Sequence, residues 1–273
     1  IEIKKMTEKF IRDAIGCHMT YEDIYPSMKA HYLINKLLER TECNAFTAPC
    51  FDVCATRRFN EERFTFCLNH SLNNENGITS ACESDMNSVL SMVVLSNFAK
   101  AAPYMGNTIC NPIRTGLLQY FIKSGLLNPE SVGSVIKELE DKENLVITFH
   151  AVPNRKFKGY DTKDAAYSIR SFAHSGWGAT IRYDFTEDEG QEVTMCRFGP
   201  DCKTLFVAKG IIVGGIGYDD VNCSEGVIFQ VKNTKDFFQK MSLVGNHVPL
   251  VYGDYFDQVV KLGEILGLKV LTA

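Results

Sequence analysis

The sequence lacks three features that would assign it to a class at once: a long apolar run, an excess of basic charge and a secretion signal. No apolar run approaches the roughly 18 residues of a membrane span, and the N-terminal residues lack the basic, apolar and small-residue regions of a signal peptide. A formal net charge of −4 provides no broad cationic surface for nucleic acid. We therefore expect a cytoplasmic protein that binds neither membranes nor nucleic acids.

Motifs for phosphate binding and covalent hydrolysis are also missing. The glycine-rich stretch 210–217 matches neither G-x-x-x-x-G-K-[ST] nor G-x-G-x-x-G, and it lies among predicted β segments instead of opening a helix. We interpret it as turns. No serine or cysteine occupies a nucleophile-elbow motif, so the sequence gives no support to hydrolase chemistry through a covalent intermediate.

Ten cysteines are present, but they are diluted across 273 residues, unlike those of a small disulfide scaffold. Five of them crowd into forty residues: Cys43, Cys50, Cys54, Cys67 and Cys82. Because no paired C-x-x-C knuckles occur among them, a structural zinc protein is the interpretation that the sequence supports least. A zinc protein of this kind would require Cys50 or Cys54 as a ligand.

The pattern of elements changes near residue 150. Up to that point strands and helices alternate, which predicts an α/β domain over 1–150 with a doubly wound, mostly parallel sheet. Over 151–273, short β-forming runs are separated by glycines and polar turns, as in an antiparallel sheet or barrel. With 45% apolar residues, the chain can bury a core in each part.

Two acids, Glu83 and Asp85, lie between a short apolar strand predicted at 78–82 and a helix with apolar residues at i, i+3, i+4 and i+7. The carboxyl end of a strand is where parallel-sheet proteins commonly bind ligands. The alternative is an acidic helix N-terminus, in which Ser84 or Asp85 caps the helix and the helix dipole favours negative charge.

Asp52 and His150 each follow a predicted strand, and His247 lies near the start of a late strand or loop. Asp52, Asp85 and His247, with Glu83 nearby, are the residue types that hold a divalent ion which polarises oxygen atoms. Their separation in sequence leaves open whether they meet. Asp52 alone is typical of a turn, and a single histidine is more often a buried, hydrogen-bonded ring.

Three ordered segments resemble the L-fucose isomerase family. Ala81-Cys82-Glu83-Ser84-Asp85-Met86-Asn87, followed by an apolar helix, is similar to the family's A-x-E-x-D segment. Ser175-Gly176-Trp177-Gly178 with Glu192-Val193-Thr194-Met195-Cys196-Arg197 is similar to its glycine turn and V-x-x-T-x-x-R type strand. Gly245-Asn246-His247, running on to Gly253 and a helix, resembles its histidine segment. The similarity extends from about Cys43 to the C-terminus and corresponds to the family's second and third domains.

The resemblance implies a homo-oligomeric aldose–ketose isomerase of the L-fucose or L-arabinose type, which works through a cis-enediol. The ion would be Mn²⁺ or another divalent cation, with Asp52, Asp85 and His247 as ligands. Asp52 departs from the glutamate that the family has there. Asp52 and Asp85 would also be the catalytic base and acid.

The resemblance further implies that Glu83 supports the site and that Asn246 contacts the sugar. His150, at a strand end, and Trp177, in the glycine turn, are further candidates for contacting the substrate. The family's N-terminal domain has no counterpart in this sequence, so we expect a fragment of a longer enzyme, a degenerate relative or half of a split protein. The alternative function is a carbohydrate-binding or regulatory module without turnover.

Overall fold

The computed structural model describes residues 1–55, 61–172, 176–218, 220, 223 and 225–273, with the backbone alone at Cys54, Ala55 and Ser131. The α-helices are α1 (Glu2–Asp13), α2 (Tyr21–Arg40), α3 (Cys50–Ala55), α4 (Cys67–Glu75), α5 (Met86–Ala99), α6 (Leu117–Lys123), α7 (Pro129–Leu139), α8 (Thr234–Met241) and α9 (Phe256–Ile265). None of the helices in these ranges has both the length and the apolar character that a membrane crossing would need.

The strands are β1 (Gly16–Cys17), β2 (Ala45–Thr47), β3 (Thr79–Ala81), β4 (Asn107–Cys110), β5 (Leu145–Phe149), β6 (Ser168–Ser171), β7 (Ala179–Arg182), β8 (Glu192–Phe198), β9 (Thr204–Ile216), β10 (Gly226–Gln230), β11 (Leu250–Tyr252) and β12 (Lys269–Thr272). The largest sheet has seven strands in the order β11-β8-β9-β10-β5-β4, with β12 paired to β9. A three-stranded sheet, β1-β6-β7, and a parallel pair, β2-β3, lie outside it.

The chain is therefore an α/β protein, as the sequence predicted, but the strands of residues 1–150 do not form one mostly parallel sheet. Only β2 and β3 pair with each other in parallel there, whereas β4 and β5 are antiparallel partners in the large sheet. Apolar periodicity marks a strand as buried without specifying the direction of its neighbour, so the alternation of elements was misleading.

The later strands do not form a closed barrel in the described part of the chain. Antiparallel ladders join β8 to β9 and β9 to β10, and β10 pairs in turn with β5. Between the outer strands β4 and β11 there are two isolated bridges, Tyr104 with Leu250 and Asn107 with His247, instead of a ladder. The division of the chain at residue 150 stays a prediction.

The glycine-rich stretch 210–217 is largely strand and not the series of turns that its composition predicted. Its first seven residues belong to β9, the longest strand described. A Cβ on Gly210 would lie 2.7 Å from the Gln230 carbonyl oxygen, and one on Gly215 would lie 2.7 Å from Phe185 Cβ. Glycine thus lets β9 approach the neighbouring strand at Gly210 and the segment that contains Phe185 at Gly215.

The largest apolar cluster lies where α5 packs on the large sheet, and it includes Met92, Tyr104, Met195, Phe206 and Leu250. The cluster also contains Ala81 and Cys82 at the end of β3. The turn between β3 and α5 is thereby fixed against β8 and the segment before β11, which places the acids of that turn beside His247.

Candidate active site

The turn between β3 and α5 has an unusual backbone. Glu83 and Ser84 are consecutive non-glycine residues with positive φ, 64° and 56°, a conformation that costs about 1–3 kcal/mol per residue. Asp85 then caps α5, its side chain accepting a hydrogen bond from the Ser88 amide at 2.9 Å. The strain lets two acids that are close in sequence point into one site from different positions.

Glu83 lies between two histidines. Its Oε1 atom is 3.2 Å from His150 Nε2, and its Oε2 atom is 3.3 Å from His247 Nε2. The two imidazole rings meet edge to face with centroids 5.9 Å apart. The Glu83 side chain is 17% exposed, so one face of this carboxylate remains accessible.

The hydrogen bonds of His150 define which ring nitrogen carries its proton. His150 follows β5, and its own amide donates to the Tyr104 hydroxyl at 2.7 Å. Its Nδ1 accepts the Ala151 amide N–H at 3.0 Å. Since Nδ1 is an acceptor, the proton is on Nε2, and His150 is a hydrogen-bond donor to Glu83.

His247 has carboxylates on both sides. Its Nδ1 lies 3.1 Å from Asp85 Oδ2, while its Nε2 faces Glu83. If Nδ1 donates a proton to Asp85, a neutral ring presents its Nε2 lone pair to the Glu83 carboxylate, and two acceptors would then be in contact. A metal ion between Nε2 and Glu83 would satisfy both acceptors.

Arg197 of β8 fixes the position of Asp85. Its guanidinium contacts both carboxylate oxygens, at 2.9 Å and 3.2 Å, and donates to Ser88 Oγ and to the His247 carbonyl oxygen at 2.6 Å each. A further bond of 2.7 Å reaches the Val244 carbonyl. Both oxygens of Asp85 are therefore already engaged by a cation on the protein.

The pKa values of both acids lie below their usual range. Burial alone would raise the pKa of Asp85, but the hydrogen bonds from His247 and Arg197 outweigh it and lower that pKa strongly. Burial also acts to raise the pKa of Glu83, but the hydrogen bond from His150 and the electrostatic interaction with His150 and His247 outweigh burial and lower that pKa. At neutral pH the site therefore holds two carboxylates.

A second group of donor atoms adjoins this site, since Cys82 has its donor atom within 4.8 Å of those of Glu83 and His150. The Sγ atoms of Cys50 and Cys82 are 3.1 Å apart, and Cys50 Sγ is 3.7 Å from His70 Nε2. The hydrogen bond from Cys82, with help from His70, lowers the pKa of Cys50 to about 4, while the same bond and burial raise that of Cys82 well above its usual value. Cys50, His70 and Cys82 have the composition of a metal-binding group.

The structure brings together Glu83, Asp85, His150 and His247 of the predicted site residues. Asp52 is exposed on α3 and belongs to neither group of possible metal donors among the described residues. Asn246 donates to Asn107 Oδ1 at 3.0 Å, and Trp177 is half-buried beside Gly178. Ser175, part of the glycine-turn resemblance, lies outside the described residues.

Arg197 has no predicted role beyond its place in the V-x-x-T-x-x-R type strand, although its position on that strand is informative. Val193, Met195 and Arg197 alternate along β8, and the first two are fully buried. A charged residue that continues a buried face needs a partner of opposite charge. Cys50 and His70 could not have been paired in advance, since no regular spacing connects them.

No protein-family model matches this chain. Among curated proteins it is similar to two sulfoquinovose isomerases, from Priestia aryabhattai and Priestia megaterium. Each is 23% identical over 270 residues, an alignment that covers 96% of this chain and 51% of the relative. The chain thus spans about half the length of the curated relatives it matches. Both of these relatives are sugar isomerases.

Proposed function

We propose that this chain carries the metal-holding part of a sugar aldose–ketose isomerase. The observation that carries the proposal is the pair of carboxylates on either side of His247, which favours a cation at Nε2. The similarity to sulfoquinovose isomerases supports the reaction class. Because the chain spans half of those relatives, we infer that further residues of the substrate site lie in a second half or in a neighbouring subunit.

The donor set fits a divalent ion such as Mn²⁺, which accepts carboxylate and imidazole ligands. Glu83 and His247 Nε2 would hold it, while Asp85 would keep the His247 proton on Nδ1, as carboxylates behind metal-bound histidines commonly do. The ligand set implied by the family resemblance, Asp52, Asp85 and His247, is the competing assignment. Bound there, the ion would polarise the hydroxyl and carbonyl oxygens of an open-chain sugar.

The residues of this chain would move and hold protons. Isomerisation through a cis-enediol carries a proton between C2 and C1, and a partly exposed carboxylate is suited to that transfer. Glu83 is accessible and ionised, and His150 donates to it. Asp52 and Asp85 were the predicted base and acid, but Asp85 is held on both oxygens by Arg197, so we assign it to positioning His247.

Manganese calorimetry on the chelator-treated chain tests the metal site. Glu83→Gln and His247→Gln should each weaken Mn²⁺ binding at least tenfold, because each removes a proposed donor. The control Glu138→Gln, on the exposed face of α7, should bind like the wild type. Asp85→Asn should weaken binding by about 10–100-fold if it only positions His247. If Asp52→Asn loses Mn²⁺ binding and Glu83→Gln binds like the wild type, the ligand set implied by the family resemblance is favoured.

Exchange of the C2 proton in deuterated water, followed by NMR, tests turnover. L-fucose, L-arabinose and sulfoquinovose form the first panel, the last because the curated relatives are named for it. Exchange that depends on Mn²⁺ and disappears in His247→Gln is the expected result. Sugar binding without metal and without exchange would instead identify a carbohydrate-binding module. A chain that spans half of an isomerase could keep the sugar-binding surface without turnover. Gel filtration tests the homo-oligomer that the resemblance implies.

A further inference from the structure

Three buried or half-buried donor atoms come together from three different elements beside the candidate active site. Cys50 begins α3, His70 lies within α4 and Cys82 directly follows β3. His70 is fully buried, Cys82 is 3% exposed and Cys50 is half-buried. Their donor atoms all lie within 4.8 Å of one another, although 32 residues separate the first from the last.

The His70 ring is held so that Nε2 faces the sulfurs. Its Nδ1 is 2.8 Å from Ser80 Oγ, and Phe46 and Phe66 pack against it with centroids 5.6 Å and 6.3 Å away. When Nδ1 donates to the Ser80 hydroxyl, Nε2 presents a lone pair toward Cys50. A hydrogen-bonded partner behind the ring is the usual companion of a metal-binding histidine.

The distances are close to those of a tetrahedral metal site. With metal–sulfur bonds of about 2.3 Å and metal–nitrogen bonds of about 2.05 Å, sulfur and nitrogen ligands lie about 3.6 Å apart and two sulfurs about 3.8 Å apart. The Cys50–His70 distance, 3.7 Å, already matches. The two sulfurs are 3.1 Å apart and would need to separate by about 0.7 Å to reach that spacing. Cys50 is half-buried on the short helix α3, so its side chain has more room to move than that of buried Cys82.

When an ion binds and displaces the Cys82 proton, two thiolates and one neutral imidazole match a soft or borderline dication in charge and in ligand type. A cavity of about 100 Å³ borders both cysteines and reaches Glu83 and His150. It leaves room for water or the Glu83 carboxylate as a fourth ligand, and Cys82, Glu83 and His150 form a second group of possible donors.

We propose that Cys50, His70 and Cys82 bind a zinc-class ion, which ties α3, α4 and the end of β3 together beside Glu83. The site differs from the proposed manganese site in its sulfur donors, and Glu83 lies next to both groups. It does not depend on the isomerase proposal. From the sequence, Cys50 or Cys54 was the expected zinc ligand and no histidine was identified. In the structure, His70 and Cys82 are the donors that lie beside Cys50.

Cobalt titration of the chelator-stripped chain in a thiol-free reductant tests this site. The wild type should develop a near-ultraviolet thiolate-to-cobalt charge-transfer band and the visible bands of a tetrahedral ion, both saturating at one equivalent of Co²⁺ per thiolate site, and Zn²⁺ should displace this ion. Cys50→Ser and His70→Gln should each weaken binding at least a hundredfold. Cys110→Ser, a half-buried cysteine of β4 outside both groups, should bind like the wild type.

Other variants separate this proposal from the first one. His247→Gln should lose manganese binding and keep the cobalt–thiolate band, whereas Cys50→Ser should do the reverse. Circular dichroism before titration establishes that each variant is folded, and half-buried Cys50 keeps the test available if Cys82→Ser fails to fold. A wild type without the charge-transfer band, a band undiminished in Cys50→Ser, or a Cys50–Cys82 disulfide in place of metal would overturn the proposal.

Discussion

Replacing Arg197 with methionine should destabilise the protein by about 3–5 kcal/mol, the usual cost of removing one partner from a buried ion pair. Methionine keeps much of the side-chain length but removes the charge and every donor. The Arg197 and Asp85 side chains are 10% and 13% exposed, so water can compensate little for the lost partner. The carbonyls of Val244 and His247 would also lose their donor.

Urea unfolding followed by circular dichroism measures this loss as a lower midpoint at an unchanged slope. The matched control is Arg114→Met. Arg114 pairs with Glu143 at 3.2 Å, but its side chain is 60% exposed, and such surface pairs contribute about 0–1 kcal/mol. Arg197→Lys should recover part of the stability, since lysine restores the charge but not the two-pronged contact.

The double variant Arg197→Met, Asp85→Asn tests the cause of the loss. Removing the carboxylate charge relieves the unpaired ion that the single variant creates, so the double variant should be less destabilised than the sum of the singles by about 1–3 kcal/mol. A loss below about 1 kcal/mol in Arg197→Met, or additive effects in the double variant, would refute the view that this pair holds the turn in place.

Two further predictions concern acid stability and close packing. Because the folded-state pKa of Asp85 is lowered, its ionised form stabilises the fold above the unfolded pKa of about 3.9, and this contribution is lost as the pH falls through the folded-state pKa. Urea midpoints between about pH 5 and pH 3 should therefore fall less steeply for Asp85→Asn than for wild type, with exposed Asp141→Asn as control; equal slopes would contradict this. Gly226→Ala should destabilise the protein by about 1–3 kcal/mol, because the added Cβ would lie 2.8 Å from the Thr148 carbonyl oxygen. By contrast, a Cβ at Gly133 on helix α7 would meet nothing within 4 Å, so Gly133→Ala should stabilise the protein by about 0.5–1 kcal/mol. Calorimetric melting of both glycine variants measures the difference, and an unaffected Gly226→Ala would contradict the close approach.

Elements with strong local signals were predictable from the sequence. Helix α7 begins at Pro129 with Asn128 as its cap, a start that the Asn-Pro pair itself predicts, because proline suits the first helical turn and the asparagine side chain accepts the Glu130 amide. The β-forming runs Leu145–Phe149 and Lys269–Thr272 likewise predict strands with the bounds that β5 and β12 have. Each of these elements is specified by residues adjacent in sequence, so no knowledge of distant partners was needed.

Features that depend on distant partners were not predictable in this way. The direction of β4 relative to β5, and the extension of β9 through Gly210, follow from which strands become neighbours. Asp52 was expected just after a strand, yet it lies on the short helix α3. Apolar pattern and turn composition contain none of this long-range information.

The candidate site likewise combines features set by adjacent residues with features set by distant partners. The acids of the turn were found from the sequence because a strand, two carboxylates and a helix occur in succession. That Asp85 contacts His247, 162 residues later, depends on the bridge between His247 and β4 and on Arg197, which bonds to both residues. The resemblance to a family suggested the pair, while the guanidinium that holds it is a tertiary feature.

The turn between β3 and α5 explains why two chemically different donor groups lie so close together. Cys82 ends the strand with its sulfur toward Cys50, Glu83 faces the two histidines, and Asp85 caps α5 toward Arg197. These three side chains are neighbours in sequence, yet each faces a different partner. The positive φ angles of Glu83 and Ser84 alter the direction of the chain between these side chains, and the strain is maintained by buried contacts on both sides. Ser84→Gly should therefore relieve strain and preserve both groups of donors, whereas Arg197→Met should release the turn and weaken both Mn²⁺ binding in calorimetry and the cobalt–thiolate band.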